Sequence, residues 1–329
     1  MFFLFFGLVC SKTLSSQKYF FDNYGVKEGL GHSKVKVIIQ SSDAYIWLGT
    51  TSGLSRFDGE NFTNFTIDDG IAPFGVSALL EDTVGTIWIG HFSGNLSIYR
   101  DHKFSVIKLD SVNGDVTDIE LDSKGRMWIT TSGSGVYRVD KPYEKNIVIN
   151  AHLSSKEGID NIIFSCVNTK SLGMLFVTRY GVKFYNKKIQ AYEFVNEQFF
   201  AWPQYFNIIK VVEDKAGGLW VGTFNGGLYY YKDINTKPEI YDRRDGLADN
   251  WVSDIYIAKD STVWIASFNG GISHFANDTM ITYNEANGLP ENKINCITGD
   301  IEGNILIGTY SNGISIYKGS SFLNYSRFI

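Results

Sequence analysis

A short aromatic motif recurs along the chain and constrains its fold more than any other feature. Its clearest copies are YIWLGTTSGLSRF at residues 45–57, IWIGHFSGNLSIY at 87–99, LWVGTFNGGLYYY at 219–231 and VWIASFNGGISHF at 263–275. Each copy has an apolar stretch, a turn that contains glycine and a second apolar stretch. This pattern is typical of two antiparallel strands joined by a tight turn.

Seven copies of the motif follow one another with a period in the low forties. They align on Trp47, Trp88, Trp128, Phe176, Trp220, Trp264 and Leu306, at spacings of 41, 40, 48, 44, 44 and 42 residues. This period is that of propeller blades with four strands each. The sequence therefore predicts an all-β protein, a single seven-bladed β-propeller of four-stranded antiparallel blades.

The large ring in each copy is predicted to fill the space between neighbouring blades. The small residue two positions later, such as Gly49 or Gly90, is predicted to leave room for that ring. A strand at residues 19–24 is expected to complete the blade that holds Leu306 and so to close the circle without an exposed edge. A surplus strand at residues 322–325 then predicts that the chain is the N-terminal part of a longer protein.

The N-terminal segment differs from the repeats. Residues 2–9 are uninterrupted apolar sequence followed by small polar residues, which predicts a signal peptide over 1–16 and leaves 17–329 for the propeller domain. The apolar run is too short to span a bilayer. We therefore expect an exported, periplasmic protein, which meets a membrane only through segments outside this chain.

No motif in the chain indicates catalysis. The five histidines are scattered without metal-binding spacing, and the sequence contains neither a phosphate-binding loop nor a nucleophile elbow. The net charge of −5, with charges of both signs interspersed, argues against nucleic acid as a partner. The sequence thus predicts a non-enzyme with no catalytic residue, metal or cofactor. A propeller lyase, the less favoured alternative, would need histidine and glutamate converging on the axis.

One end of the predicted ring collects aromatic side chains. The loops from strand four to strand one and the turns from strand two to strand three emerge there together, and loops of this kind carry function. After the small polar residue that ends strand two, the alignment places Thr51, Phe92, Thr131, Arg179, Phe224, Phe268 and Tyr310. Further candidates in the same loops and turns are Trp202, Tyr205, Asn225, Trp251 and Asn269.

Two interpretations of these aromatic residues remain open. Rings beside amide and guanidinium groups suit a small molecule or an oligosaccharide, through stacking and hydrogen bonds. Phe92, Arg179, Trp202, Tyr205, Phe224, Asn225, Trp251, Phe268, Asn269 and Tyr310 are therefore predicted to bind ligand. Alternatively, the rings on the turns pack between blades, and the propeller is a structural or protein-interaction module that serves homodimer contacts.

The repeat resembles a known family. Its features are the acidic-Gly-Leu loop at Glu28-Gly29-Leu30, the D-x-x-G turn before the tryptophan at 82–88, the W-V-G-T core at 220–223 and the segment Gly53 to Gly59. Together these are similar to the two-component regulator propeller repeat, found in the N-terminal sensor regions of bacterial hybrid histidine kinases. The resemblance implies an extracytoplasmic ligand-sensing module, with a glycan fragment as one candidate ligand.

Overall fold

The computed structural model describes residues 21–109, 112–144, 147–152, 161–178, 181–186, 191–194 and 208–319. In this part of the chain, 28 strands form seven antiparallel sheets of four strands. The first strand of each sheet contacts the first strands of both neighbouring sheets, and the last sheet contacts the first. The sheets are therefore the blades of a closed ring, and the predicted seven-bladed propeller is confirmed.

The blades are numbered 1 to 7 from Val35, and their strands one to four from the axis outward. The seven strands one are Val35–Gln40, Val76–Glu81, Val116–Leu121, Ile163–Thr169, Ile208–Glu213, Val252–Ile257 and Ile294–Gly299. Strands two are Ile46–Thr50, Ile87–His91, Met127–Thr131, Gly173–Thr178, Leu219–Thr223, Val263–Ser267 and Ile305–Thr309. Strands three are Gly53–Phe57, Leu96–Arg100, Val136–Val139, Gly181–Asn186, Leu228–Tyr231, Gly271–Ala276 and Ile314–Tyr317. Strands four are Phe62–Phe65, Lys103–Ile107, Ile149–His152, Ala191–Phe194, Glu239–Tyr241, Thr279–Tyr283 and, in blade 7, Phe21–Tyr24.

The N-terminal strand closes the ring. Phe21–Tyr24 pairs antiparallel with Ile314–Tyr317, so the start of the described chain completes blade 7, as predicted. A hydrogen bond from Ser315 Oγ to Asn23 Oδ1 (2.6 Å) adds to this pairing. The predicted signal peptide and the predicted surplus strand at 322–325 lie outside the described residues.

The repeated large residue of strand two forms the core between blades. Trp47, Trp88 and Trp128 are at most 2 % exposed, and Leu306 fills the same position with no exposure. The indole N–H of Trp88 donates to Asp82 Oδ2 (3.0 Å), and Trp128 donates to Asp122 in the same way. The other oxygen of Asp82 accepts the turn amides of Val84 and Thr86. The aspartate of the D-x-x-G turn therefore shapes the turn and also satisfies the buried indole.

In blade 4 the alignment on Phe176 was wrong by one residue. Leu175 takes the tryptophan position there, because it pairs with Val167 of strand one as Trp47 pairs with Ile39. Phe176 instead faces the preceding blade, with its ring centroid 5.4 Å from that of Trp128.

The predicted reason for the glycine after the tryptophan was wrong. A Cβ at Gly90 would lie 2.4 Å from Cγ1 of Val116, and one at Gly49 would lie 2.7 Å from Cγ1 of Val76. Val116 and Val76 are each the first residue of strand one in the following blade. The Cβ at Gly49 would also lie 2.5 Å from Cγ1 of Val37, on strand one of its own blade. The glycine thus leaves room for strand one of the following blade and of its own blade, and not for its own tryptophan.

A single turn of 3₁₀-helix lies in four of the described loops from strand four to strand one: Val26–Glu28, Ile67–Asp69, Arg243–Asp245 and Glu285–Asn287. Each ends at a glycine in the left-handed conformation, as at Gly246 (φ 95°). An apolar residue follows and is buried, as Leu247 shows. This geometry explains the acidic-Gly-Leu pattern in the sequence. Among the described residues, the helices are all too short to cross a membrane.

Candidate ligand-binding face

A repeated backbone hydrogen bond organises the end of the ring where the four-to-one loops meet the two-to-three turns; we call this end the loop face. The amide that follows strand two donates to the carbonyl of the residue just before strand one of the same blade. The pairs are Thr51–Lys34 (3.3 Å), Phe92–Gly75 (3.1 Å), Ser132–Asp115 (2.9 Å), Phe268–Trp251 (3.0 Å) and Tyr310–Lys293 (2.9 Å). Each bond sets two side chains beside one another at the rim.

In blade 3, this rim position belongs to Ser132 and not to Thr131. Thr131 pairs with Val116 in the way that Thr50 pairs with Val35, so both end strand two. The alignment was displaced by one residue there, since blade 3 has two threonines in succession.

Four aromatic residues from blades 5 to 7 form one continuous row, which we call the aromatic row. Phe224 packs edge-on against Trp251, with ring centroids 4.4 Å apart. Trp251 stacks on Phe268 at 4.1 Å, and Phe268 meets Tyr310 edge-on at 5.8 Å. Tyr310 is 37 % exposed, and the other three are half-buried. The rings therefore pack on one another across blade boundaries, as the second interpretation predicted, and they keep a surface toward solvent.

Polar groups accompany the aromatic row. Asn225 and Asn269, each directly after a ring of the row, are exposed. Lys34 Nζ lies 4.0 Å from the centroid of the Tyr310 ring, and Lys293 Nζ lies 5.6 Å from it. The row thus combines apolar surface, amides and ammonium groups. Arg179, Trp202 and Tyr205, which were predicted to bind ligand, lie outside the described residues.

Phe92 is separated from the aromatic row. It belongs to blade 2 and lines a cavity on the axis of the ring. Phe74 of the same blade, two residues before strand one, is 70 % exposed and has a φ of 72°. An aromatic residue rarely adopts this left-handed conformation, and such outliers concentrate at functional sites. The sequence analysis missed Phe74, because no residue pattern reports a positive φ at a phenylalanine.

His91, the last residue of strand two in blade 2, links the loop before strand one to strand three of the same blade. Its side chain is fully buried, with Nε2 2.9 Å from Ser97 Oγ and Nδ1 3.4 Å from the carbonyl oxygen of Phe74. Burial lowers the pKa of His91 to about 4. The imidazole is therefore neutral at physiological pH and has a structural role in this loop.

A cavity of about 320 Å³ lies on the axis and is lined by strand one of all seven blades. Its wall includes Lys36, Asp118, Lys210 and Asp254. Lys210 Nζ lies 3.8 Å from Asp118 Oδ2 and so links blade 5 to blade 3. No sequence pattern indicated this charged group.

The two axial aspartates join adjacent blades. Asp118 Oδ2 accepts the backbone N–H of Cys166 in blade 4 (3.1 Å), and Asp254 Oδ2 accepts that of Ile297 in blade 7 (3.0 Å). The Asp118 carboxylate raises the pKa of Lys210, whereas burial raises the pKa of Asp254. Lys210 therefore remains charged and compensates the carboxylates beside it.

Glu120 lies two residues beyond Asp118 on the same strand. Burial, reinforced by the Asp118 charge, raises the pKa of Glu120 to about 7. Among the described residues, the cavity wall contains no histidine, and no group of three or more potential metal ligands occurs. The charged group near the axis thus differs from the histidine–glutamate cluster that a lyase would need.

A protein-family model matches two segments of the chain. The family model for the two component regulator propeller matches residues 110–133 and 288–311, which begin at or near the loops before strand one of blades 3 and 7. These segments are two-component regulator propeller repeats, as the motifs predicted. No curated protein sequence matches the chain significantly.

Several solved structures share the fold. The extracellular domain of the hybrid two-component system BT3049 from B. thetaiotaomicron superposes with a TM-score of 0.75 at 19 % identity, over 91 % of this chain and 41 % of that one. The extracellular domain of the hybrid two-component system BT4673 from the same organism superposes with a TM-score of 0.73 at 21 % identity, over 91 % of this chain and 40 % of that one. A catalytically inactive virginiamycin B lyase from Staphylococcus aureus with quinupristin superposes with a TM-score of 0.71 at 9 % identity, over 91 % of this chain and 99 % of that one. The present chain spans about two fifths of the B. thetaiotaomicron domains.

Proposed function

We propose that the chain is an extracytoplasmic, ligand-sensing propeller of a bacterial two-component signalling protein, and that it acts by binding and not by catalysis. The repeat family and the similar extracellular domains of two-component systems support this class of role. The ligand is an oligosaccharide fragment, and it binds on the loop face.

The aromatic row is the observation that carries this proposal. Its rings offer a half-exposed apolar strip across three blades, and the C–H faces of sugar rings stack on such surfaces. The exposed amides of Asn225 and Asn269 can donate to and accept from sugar hydroxyls. Trp251 contacts two other rings of the row and is the centre of the site.

Alanine substitution of Trp251 tests the proposal. We expect Trp251→Ala to weaken binding at least tenfold, because removing a central aromatic anchor typically costs about 2 kcal/mol or more. The measurement is isothermal titration of the full chain with defined neutral and acidic oligosaccharides. Tyr143→Ala is the matched control, since Tyr143 is 52 % exposed and lies between strands three and four, at the opposite end of the ring. Equal affinity of the wild type and Trp251→Ala would reject the site.

A protein-interaction propeller is the second candidate. Phe74 and Ile67, which are 70 % and 63 % exposed, add apolar surface near the same face. If this surface mediates homodimer contacts, Phe74→Ser will shift the sedimentation coefficient of the chain toward the monomer value. A monomeric wild type at high protein concentration would reject this alternative.

A further inference from the structure

Two lysines converge on one ring at the end of the aromatic row, and they indicate the charge of the ligand. We propose that the loop face recognises an anionic sugar, whose carboxylate or sulfate group binds Lys34 and Lys293 while its ring stacks beside Tyr310. This inference rests on the proposed function and adds the chemical class of the ligand.

The backbone fixes both lysines in place. Each is the residue just before strand one, in blade 1 and blade 7, and its carbonyl accepts the hydrogen bond that repeats around the rim. Their ammonium groups lie 4.0 and 5.6 Å from the centroid of Tyr310, and Lys293 Nζ lies 6.0 Å from that of Phe268. The positive charges therefore adjoin the surface on which a sugar would stack.

The two ammonium groups have no carboxylate partner within the described ranges. Glu291, near Lys293 in sequence, instead accepts the amide (2.7 Å) and the hydroxyl (2.8 Å) of Ser311. One lysine suffices for a cation–π contact with a tyrosine, so a second ammonium on the same ring adds repulsion. In a chain with a net charge of −5, this local excess of positive charge needs an explanation beyond composition. A bound anion removes the repulsion.

Lys36, which lines the cavity, adds a third positive charge. Burial lowers the pKa of Lys36, and repulsion from the nearby ammonium group of Lys34 lowers it further. Asp115 lies on the cavity wall and offsets Lys36 in part. An acidic group on the ligand would stabilise Lys34 and Lys36 together.

The test compares acidic and neutral probes on the full chain. The probes are trigalacturonate for the carboxylate, a sulfated chondroitin disaccharide for the sulfate, and cellotriose as the neutral sugar. We expect at least one acidic probe to bind tenfold more tightly than cellotriose at about 50 mM salt, with most of this gain lost at about 300 mM. The double variant Lys34→Met, Lys293→Met will remove the gain, and Lys34→Arg, Lys293→Arg will keep it.

Lys124→Met is the matched control, because Lys124 is exposed in a one-to-two turn at the opposite end of the ring. Methionine retains the apolar stem of lysine, and an unchanged melting temperature will show that the variants fold. If cellotriose binds as tightly as the acidic probes and Trp251→Ala abolishes that binding, the charge inference fails while the proposed function stands. If none of the probes binds, both are rejected.

Discussion

Blades 3 and 6 have the same backbone and nearly opposite rims. In blade 3 the rim hydrogen bond joins Ser132 to Asp115 (2.9 Å), and in blade 6 it joins Phe268 to Trp251 (3.0 Å). Near the axis, both blades use an aspartate to accept an amide of the following blade. The difference shows that the repeat fixes the backbone of the blade, while the two side chains joined by the rim hydrogen bond vary from blade to blade.

The largest expected effect on stability comes from the tryptophan of strand two and is the same in both blades. Trp128→Ala and Trp264→Ala should each lower the free energy of unfolding by about 3–5 kcal/mol, because both remove a ring that is at most 5 % exposed. Urea unfolding followed by fluorescence of the remaining tryptophans measures this. A small loss in one blade would mean that its scaffold differs from that of the other.

The axial aspartates provide the second comparison. Asp118→Ala and Asp254→Ala should each cost about 1–3 kcal/mol, because each leaves a backbone N–H of the next blade without its acceptor. Asparagine keeps an acceptor oxygen, so the Asn variants should recover part of this loss. Chemical denaturation of all four variants checks the prediction, and Asn variants no better than Ala would contradict it.

Blade 3 should make the stability of the protein depend on pH near neutrality, and blade 6 should not. Glu120 of blade 3 has its counterpart in Tyr256 of blade 6, since each pairs with the tryptophan of strand two. The folded state keeps the Glu120 proton up to pH about 7, whereas the unfolded chain releases it near pH 4.5. Stability should therefore fall by about 1.4 kcal/mol as the pH rises from about 6 to about 8. Glu120→Gln should abolish this part of the pH profile, and an unchanged profile would show that Glu120 does not titrate there.

The smallest effect concerns the turn between strands one and two. Gly125 of blade 3 has φ 72°, and Ser261 takes the same place in blade 6 at φ 71°. The amides of Gly125 and Ser261 make the same bond, to the carbonyls of Asp122 and Ala258. Ser261→Gly should therefore stabilise the protein by about 0.5–1 kcal/mol, and Gly125→Ser should destabilise it by about as much. Thermal unfolding of both variants tests whether the turns are interchangeable.

The fold could be predicted because its determinants recur in the sequence. A tryptophan and a turn glycine in most repeats reveal the blade count, and the surplus outer strand indicated how the ring closes. The aromatic row was also within reach, since three of its members follow strand two directly.

The remaining features depend on contacts that sequence spacing does not encode. Asp118 and Lys210 meet across the axis from blades 3 and 5, which repeat alignment treats as separate units. The role of Gly90 was misassigned because its close neighbour, Val116, belongs to the following blade. Stacking of Trp251 between two rings likewise becomes evident only when adjacent blades are placed together.

The closing strand also has a consequence for the time course of folding. Asn23 and Ser315 are 292 residues apart, yet they meet in one blade. At a synthesis rate of about 5–20 residues per second, the first strand waits roughly 15 to 60 s for its partner to be made. Until then both edges of the growing array are open to pairing with other chains. A circular permutant can start in blade 1 and carry the segment 21–24 after residue 319. Its final refolding phase should be shorter, because the pairing of this segment with strand three of blade 7 becomes local.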